Sequence, residues 1–335
     1  MQPSYQHFGI IGGGAWGTAL GQALLRAGRD ATLWARETDV AGAINARHEN
    51  TKFLPGISLN PRLKATNKLA DLAACDAWML VTPAQHIRAI CKELAALDTQ
   101  KPVPVIVASK GIEQNTLALP AAIVEETLPR QPIAVLSGPT FAIQVAKDQP
   151  TAMTLACADA DLGAKLADAI SSRAFRPYLS NDIIGAQIGG AIKNVLAIAC
   201  GIATGCNMGE NARAALITRG LAEMLRLAAA IGAKAETLMG LSGLGDLILT
   251  CSSPLSRNMS LGIALGEGAK LDDILAARSS VTEGVSTASA ALALAEKHKV
   301  EMPIVEAVDA VLNHGASVEA SVEALLARPL KPESA

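Results

Sequence analysis

Aromatic residues are scarce in this sequence: 335 positions hold four Phe, three Trp and two Tyr. A stacking platform for single-stranded nucleic acid needs such rings, so that class of protein is disfavoured. An excess of charge is missing too. Lys and Arg number 29 against 31 Asp and Glu, a net charge of −2. No basic footprint therefore calls for nucleic acid or an anionic membrane. The six Cys form no C-x-x-C pair, the five His show no i, i+4 spacing, and no G-x-S-x-G elbow occurs. No metal is expected. The thiols read as free and buried, which suits a reducing, cytoplasmic compartment. The N-terminus is short and polar and runs at once into a strand, so no signal peptide is expected.

What abounds is small and apolar. Hydrophobic residues reach 50% and glycine fills 28 positions, which excludes disorder. The length suits two domains, each with its own core. In the first half, apolar runs at 7–11, 31–34, 63–66, 77–81, 103–108, 133–137, 151–156 and 175–179 read as strands. Helical patterns at 16–27, 85–97, 116–128 and 161–172 fall between them. This alternation predicts an α/β, Rossmann-type domain with a mostly parallel sheet covered on both faces. Beyond residue 182 the pattern is helical, at 183–204, 212–231, 246–250, 257–266, 271–278, 284–298 and 303–312, with a Gly-rich turn at 240–245. The expected division is a dinucleotide-binding domain over 1–182 and an all-α, substrate-binding domain over 183–335. Residues 328–335 read as a frayed tail.

The first motif is G-x-G-x-x-G, formed by Gly12, Gly14 and Gly17 directly after the first strand and opening a helix. Gly12 allows the tight turn, Gly14 admits a pyrophosphate to the backbone, and Gly17 lets the helix pack on the strand. The helix N-terminus then offers N–H groups to phosphate. The next strand ends in Leu33-Trp34-Ala35-Arg36-Glu37. A guanidinium at Arg36 suits an adenosine 2′-phosphate, so NADP is favoured, and Glu37 keeps NAD possible. Later strand ends also line the crevice of such a sheet, among them the end before Lys110 and the segment Ser137-Gly138-Pro139-Thr140-Phe141-Ala142.

Lys193 is the sharpest single residue. Between Asp182 and Glu210 it is the only charge, and positions 189, 190, 196 and 197 offer no carboxylate to pair it. A membrane span with a central Lys is disfavoured, and a buried helix of a soluble domain is expected. A desolvated Lys loses proton affinity and becomes a usable acid–base group. The competing reading is a Lys that snorkels to the surface. Further on, Asp246 follows a tight glycine turn, Ser256-Arg257-Asn258 opens a helix in a manner suited to phosphate, and Val281-Thr282-Glu283-Gly284 precedes another helix. Asp246 and Glu283 also read simply as helix-terminal carboxylates.

These motifs occur in one order along essentially the whole chain, together with Leu54-Pro55-Gly56, Ser109-Lys110-Gly111, Lys193-Asn194-Val195 and the GLGDLILT segment at 243–250. In that combination the chain resembles the bacterial NAD(P)-dependent glycerol-3-phosphate dehydrogenases. The resemblance implies interconversion of dihydroxyacetone phosphate and sn-glycerol 3-phosphate, supply of phospholipid synthesis, and a homodimer. It assigns proton exchange at the C2 hydroxyl to Lys193. Substrate positions are Lys110, Gly138, Thr140, Lys193, Asp246, Ser256, Arg257 and Asn258. Cofactor positions are Gly12, Gly14, Ala15, Trp16, Gly17, Arg36, Phe53, Lys110, Ala142, Arg257, Val281 and Glu283. The family commonly carries Ser at Ala15 and often Tyr at Phe53. Two other classes fit the residues less well: a hydroxyacid or 6-phosphogluconate type of dehydrogenase, and a nicotinamide-binding sensor without turnover. The first lacks a use for Asp246 with Ser256-Arg257-Asn258, and the second needs no Lys193.

Overall fold

The computed structural model describes residues 5–278, 282–330 and 332. β1 (His7–Ile11) leads into α1 (Ala15–Arg26), β2 (Asp30–Trp34) into α2 (Thr38–Arg47), and β3 (Lys64–Thr66) into β4 (Ala77–Leu80). Then come α3 (Ile87–Ala95), β5 (Val105–Val107), α4 (Pro120–Thr127), β6 (Ile133–Ser137), α5 (Ala142–Ala146), β7 (Thr151–Cys157), α6 (Ala160–Ile170) and β8 (Phe175–Ser180). The eight strands lie in the order β3-β2-β1-β4-β5-β6-β7-β8. Neighbours run parallel except β6 and β7, where Ser137 sits opposite Thr154 in antiparallel register. The reversal has a local cause. α5 has five residues and spans about 7 Å, whereas a strand of five spans about 16 Å, so α5 cannot return the chain to a parallel start.

Alternation along each strand divides the sheet's side chains between two cores. Phe8 and Ile10 of β1 join Met79 of β4 and Ile106 of β5 on one face, packed by α1, α2, α5 and α6. Ile11 joins Trp78, Leu80, Val105 and Val107 on the other, packed by α3 and α4. Both faces are thus dry, as the unbroken apolar strands require.

Beyond β8 the chain forms α7 (Ile183–Gly205), α8 (Gly209–Ala230), α9 (Ala235–Leu238), α10 (Asp246–Cys251), α11 (Arg257–Gly266), α12 (Leu271–Ala276), α13 (Glu283–Lys297), α14 (Pro303–Asn313) and α15 (Val318–Leu326). α7 is the axis of this part. Asp182 caps it by accepting the Gly185 N–H at 2.9 Å. Contacts with α8, α10, α11, α13 and α14 surround it, which is why it is apolar all round. By length and composition alone it could cross a bilayer, yet 89% of its most apolar window is buried inside the protein. α7 and α11 meet backbone to backbone. A Cβ on Gly201 would overlap the Met259 carbonyl oxygen, and one on Gly262 would overlap that of Ile198.

Several elements differ from their sequence expectations. α2, α5, α9 and α15 have no counterpart among them, because short helices with interrupted apolar spacing leave a weak period. α4 starts at Pro120 rather than 116, since the chain before it folds into a turn with Leu117 at φ 61°. β5 is confined to three residues, preceded by Pro104. The turn at 240–245 is a π-helical turn, Leu241–Gly245, continuous with α10. Of the expected tail, residues 331 and 333–335 lie outside the described residues.

Candidate active site

The site grows from the carboxyl ends of β1, β4, β5 and β6. After β1, Gly12 takes φ 134°, and a side chain there would press on the Val81 carbonyl and the Thr82 N–H. A Cβ on Gly17 would overlap the Gly12 carbonyl oxygen, so α1 lies directly on the turn. Gly14 is different: a Cβ there meets nothing within 4 Å. It caps α1 without a side-chain bond, and the first turn of α1 holds no acidic residue. The N–H groups of this end, with Ala15 and Trp16, are thus left to an anion. Asn50 fixes the turn from behind, donating to the Gly13 carbonyl and to Thr18 Oγ1 at 2.8 Å each. Its Oδ1 accepts the Phe53 N–H at 3.1 Å, which seats Phe53 in the same cluster as Ala15 and Trp16.

Arg36 stands exposed just past β2 and has no bonded or ionic partner among the described residues. Glu37 is drawn aside by Lys52, whose Nζ lies 3.6 Å away. Ala142 opens α5 at the far side of the crevice.

A continuous run of contacts leads from the glycine turn to the charged centre. Ser109 Oγ donates to the carbonyls of Leu80 (3.1 Å) and Thr82 (2.6 Å). Lys110 follows it, and its Nζ donates to the Gly138 carbonyl at 3.2 Å and to Asp246 Oδ2 at 2.6 Å. Lys193 Nζ donates to Asp246 Oδ1 at 2.6 Å and to Thr250 Oγ1 at 2.8 Å. Thr250 Oγ1 in turn donates a hydrogen bond to the Asp246 carbonyl at 2.6 Å. Asp246 is fully buried and Lys193 nearly so. Burial pushes the Lys193 ammonium down to about 8; Asp246 opposes this and the Lys110 charge adds to it. The loss of proton affinity expected of a desolvated Lys thus has its cause in this burial. Its carboxylate partner comes from another helix, where helix spacing gives no sign of it.

Gly189 and Gly190 make room, and the protein itself fills it. A Cβ on Gly189 would overlap the Ser242 carbonyl oxygen, and one on Gly190 would lie 3.0 Å from Ser137 Oγ and 3.2 Å from Lys110 Cγ. These glycines admit the π-helical turn and the Lys110 stem. Gly243 likewise admits the Leu238 carbonyl.

Ser256 caps α11 by accepting the Met259 N–H at 3.2 Å. Asn258 is engaged inward: its Nδ2 donates to Asn194 Oδ1 at 2.9 Å and its Oδ1 accepts the Gly284 N–H at 3.0 Å. Arg257 sits exposed at the first position of α11. Arg278 braces it, donating to the Arg257 carbonyl at 2.6 Å and to Ser260 Oγ at 3.0 Å. Thr140 Oγ1 donates to the Gly138 carbonyl at 3.3 Å. Glu283 opens α13; burial pushes its carboxyl up to about 7 against the pull of Arg257 and the Ala84 N–H. Val281 lies outside the described residues. Asn194 and Thr250 lie inside motifs noted in the sequence but carry no assigned role there, and Arg278 lies outside every motif. The placement of Thr250 one helical turn after Asp246 is the signal that could have found it.

Five buried polar atoms around the crevice have no protein partner: Trp16 Nε1, Thr82 Oγ1, Ser137 Oγ, Glu283 Oε2 and Thr287 Oγ1. Unpaired buried polar atoms are costly unless a ligand meets them. Together with the open face of Gly14 they fit a dinucleotide along the crevice. No cluster of metal-binding side chains occurs among the described residues.

Fold and site together define a two-domain dehydrogenase of the dinucleotide-binding class. The family description "NAD-dependent glycerol-3-phosphate dehydrogenase" matches twice, its N-terminal part over residues 7–163 and its C-terminal part over 182–323. A glycerol-3-phosphate dehydrogenase [NAD(P)+] of Maricaulis maris is 55% identical over 332 residues, covering 99% of both chains. That of Caulobacter vibrioides is 55% identical over 331 residues, covering 99% of this chain and all of the other. The crystal structure of glycerol-3-phosphate dehydrogenase from Coxiella burnetii superimposes with a TM-score of 0.93 at 37% identity, over 97% of this chain and 100% of that one. The chain belongs to the NAD-dependent glycerol-3-phosphate dehydrogenase family.

Proposed function

We propose that this protein interconverts dihydroxyacetone phosphate and sn-glycerol 3-phosphate with NADPH or NADH, NADPH being preferred. The observation that carries the reading is the buried Lys193–Asp246–Lys110 centre, joined by direct contacts to the glycine turn. Residues 1–182 hold the cofactor and 183–335 the substrate. Gly12, Gly14, Ala15, Trp16 and Gly17 take the pyrophosphate, Arg36 the 2′-phosphate, and Phe53, Ala142, Val281 and Glu283 complete that side. When bound, the nicotinamide supplies a hydride to C2 or accepts one from it.

The side chains do the rest. Reduction of a ketone leaves negative charge on its oxygen, and a positioned ammonium both stabilises that charge and gives the proton. Lys193 is that ammonium, held in place by Asp246 and Thr250. In the reverse direction neutral Lys193 removes the hydroxyl proton. Lys110 adds a second cation beside the same oxygen and the cofactor. Arg257, at the start of α11, suits the substrate phosphate. Asn258 and Ser256 hold that turn, and Gly138 and Thr140 close the site from β6.

Supply of phospholipid synthesis, a cytoplasmic location and a homodimer belong to the same reading, with neither nucleic acid nor membrane insertion. An absorbance assay of NADPH oxidation tests it. Turnover is expected with dihydroxyacetone phosphate and not with dihydroxyacetone. Equal rates on the two ketones remove the phosphate role of Arg257.

A further inference from the structure

Lys110 stands on an irregular stretch between β5 and α4. Backbone with positive φ occurs twice there, at Gly111 (139°) and Leu117 (61°). Beyond Ala108 and Ser109, which bond to the end of β4, no sheet or helix ladder among the described residues sets the height of this loop, yet it is tied down densely from one side. The Gln85 amide spans it: Nε2 donates to the Ile112 carbonyl at 2.8 Å, and Oε1 accepts the Gln114 N–H at 3.1 Å. One turn later, Arg88 grips Glu113 in a fork, Nε to Oε1 at 3.0 Å and Nη2 to Oε2 at 2.9 Å. Arg88 Nη1 also holds Glu126 of α4 at 2.7 Å, and the Thr116 hydroxyl donates to Glu113. The Glu113 side chain is 9% exposed and that of Arg88 21%. A fork of this kind fixes orientation as well as distance.

We propose that Gln85 and the Arg88–Glu113 pair are positioning residues of the active site: they hold the loop at the height that keeps Lys110 Nζ on Asp246. The inference rests on the function proposed above.

The coupling runs through one shared carboxylate. Facing Lys193 are Asp246, Thr250 and Cys251 from α10 and Lys110 from the loop, while α7 brings no other charged side chain. When Lys110 withdraws, Lys193 loses a like charge and gains the whole of Asp246. Both changes favour its charged form. A loosened loop therefore shows itself as a higher proton affinity at Lys193, which a merely structural role does not produce.

The test uses Arg88→Gln, Glu113→Gln and the milder Gln85→Ala in the full chain. Reduction of dihydroxyacetone phosphate is followed from acid to alkaline pH. NADPH affinity is read by fluorescence, and the Lys193 amine is titrated by 13C NMR after reductive methylation, assigned with Lys193→Arg. Expected are an upward move of the Lys193 inflection by about half a unit or more, a roughly ten- to hundredfold loss in kcat/KM, and little change in NADPH affinity. Glu113→Asp recovers part of the loss. An inflection at the wild-type pH in folded variants, whether or not the rate falls, overturns the proposal. If Arg88→Gln and Glu113→Gln fail to fold, Gln85→Ala decides by the same criterion. Absence of turnover in the wild type condemns the functional reading instead, and the amine titration still reports on the loop.

Discussion

Lys110 and Lys193 share a single carboxylate: each ammonium lies 2.6 Å from a different oxygen of Asp246. Two cations and one anion leave the centre with one net positive charge when both lysines are protonated. It is thus complementary to an oxyanion forming between them and to an anionic substrate.

Removal of the shared carboxylate exposes what it does. In Asp246→Asn the two ammonium groups face each other without a counter-charge, and breaking a buried pair costs about 3–5 kcal/mol. Lys193 then sheds its proton near neutrality. We expect kcat for ketone reduction to fall by about a hundredfold or more, with alcohol oxidation affected less. Steady-state kinetics in both directions at pH 7 check this; an equal loss in both directions contradicts it.

The pH dependence has opposite signs in the two directions. In the proposed function Lys193, lowered to about 8 by burial, donates the proton in reduction and accepts it in oxidation. Accordingly kcat/KM for dihydroxyacetone phosphate falls as pH rises through about 8, and kcat/KM for sn-glycerol 3-phosphate rises over the same interval. Lys193→Met abolishes both limbs. An inflection near 8 that persists in Lys193→Met would exclude Lys193 from the proton transfer.

Cofactor preference is expected to rest on Arg36. Charge-assisted bonds to a phosphate are worth about 1.5–3 kcal/mol. Arg36→Ala should therefore lose roughly ten- to hundredfold in kcat/KM for NADPH and little for NADH. Added salt should weaken NADPH binding to the wild type more than to the variant. An unchanged NADPH/NADH ratio sinks the assignment.

Glu223 makes a separate prediction, about stability. Its carboxylate is buried at the start of α14 and accepts the N–H groups of Ile304 (2.8 Å) and Val305 (3.3 Å). Burial pushes it up from 4.5 to about 7 despite these bonds. The folded form thus binds the proton more tightly than the unfolded chain, and stability drains away as pH rises from about 4.5 to 7. The loss attributable to this group is roughly 2–3 kcal/mol. Glu223→Gln should remove that slope. Denaturant unfolding of both proteins at pH 5 and pH 7.5 measures it; a stability difference independent of pH speaks against the buried carboxylate.

Much of the molecule was legible in the residue order, for physical reasons. Continuous apolar strands can only be covered on both faces, and Gly12, Gly14 and Gly17 after β1 could only open a helix. Lys193 stood out because nothing on its own helix could pair it. Its real partner is 53 residues away, and pairing of that range leaves no trace in helical spacing. For the same reason Asp246 read equally well as a helix-terminal carboxylate. Asn258 reads as a ligand for phosphate, and its amide also spans α7 and α13, a bridging role that depends on three segments meeting and leaves no mark in the residue order. The Arg88–Glu113 fork was invisible too, since an Arg and a Glu are ordinary surface residues until a loop is known to fold over them.

The glycine crossing of α7 and α11 carries a last consequence. α7 bears Lys193 and α11 opens with Arg257, so the spacing of the two backbones that carry them is metered by the thickness of two main chains. No rotamer can widen it and no side chain can cushion it. A descendant that recruited a longer substrate would have to find the extra room along the sheet's loops, because the crossing itself has no slack to inherit.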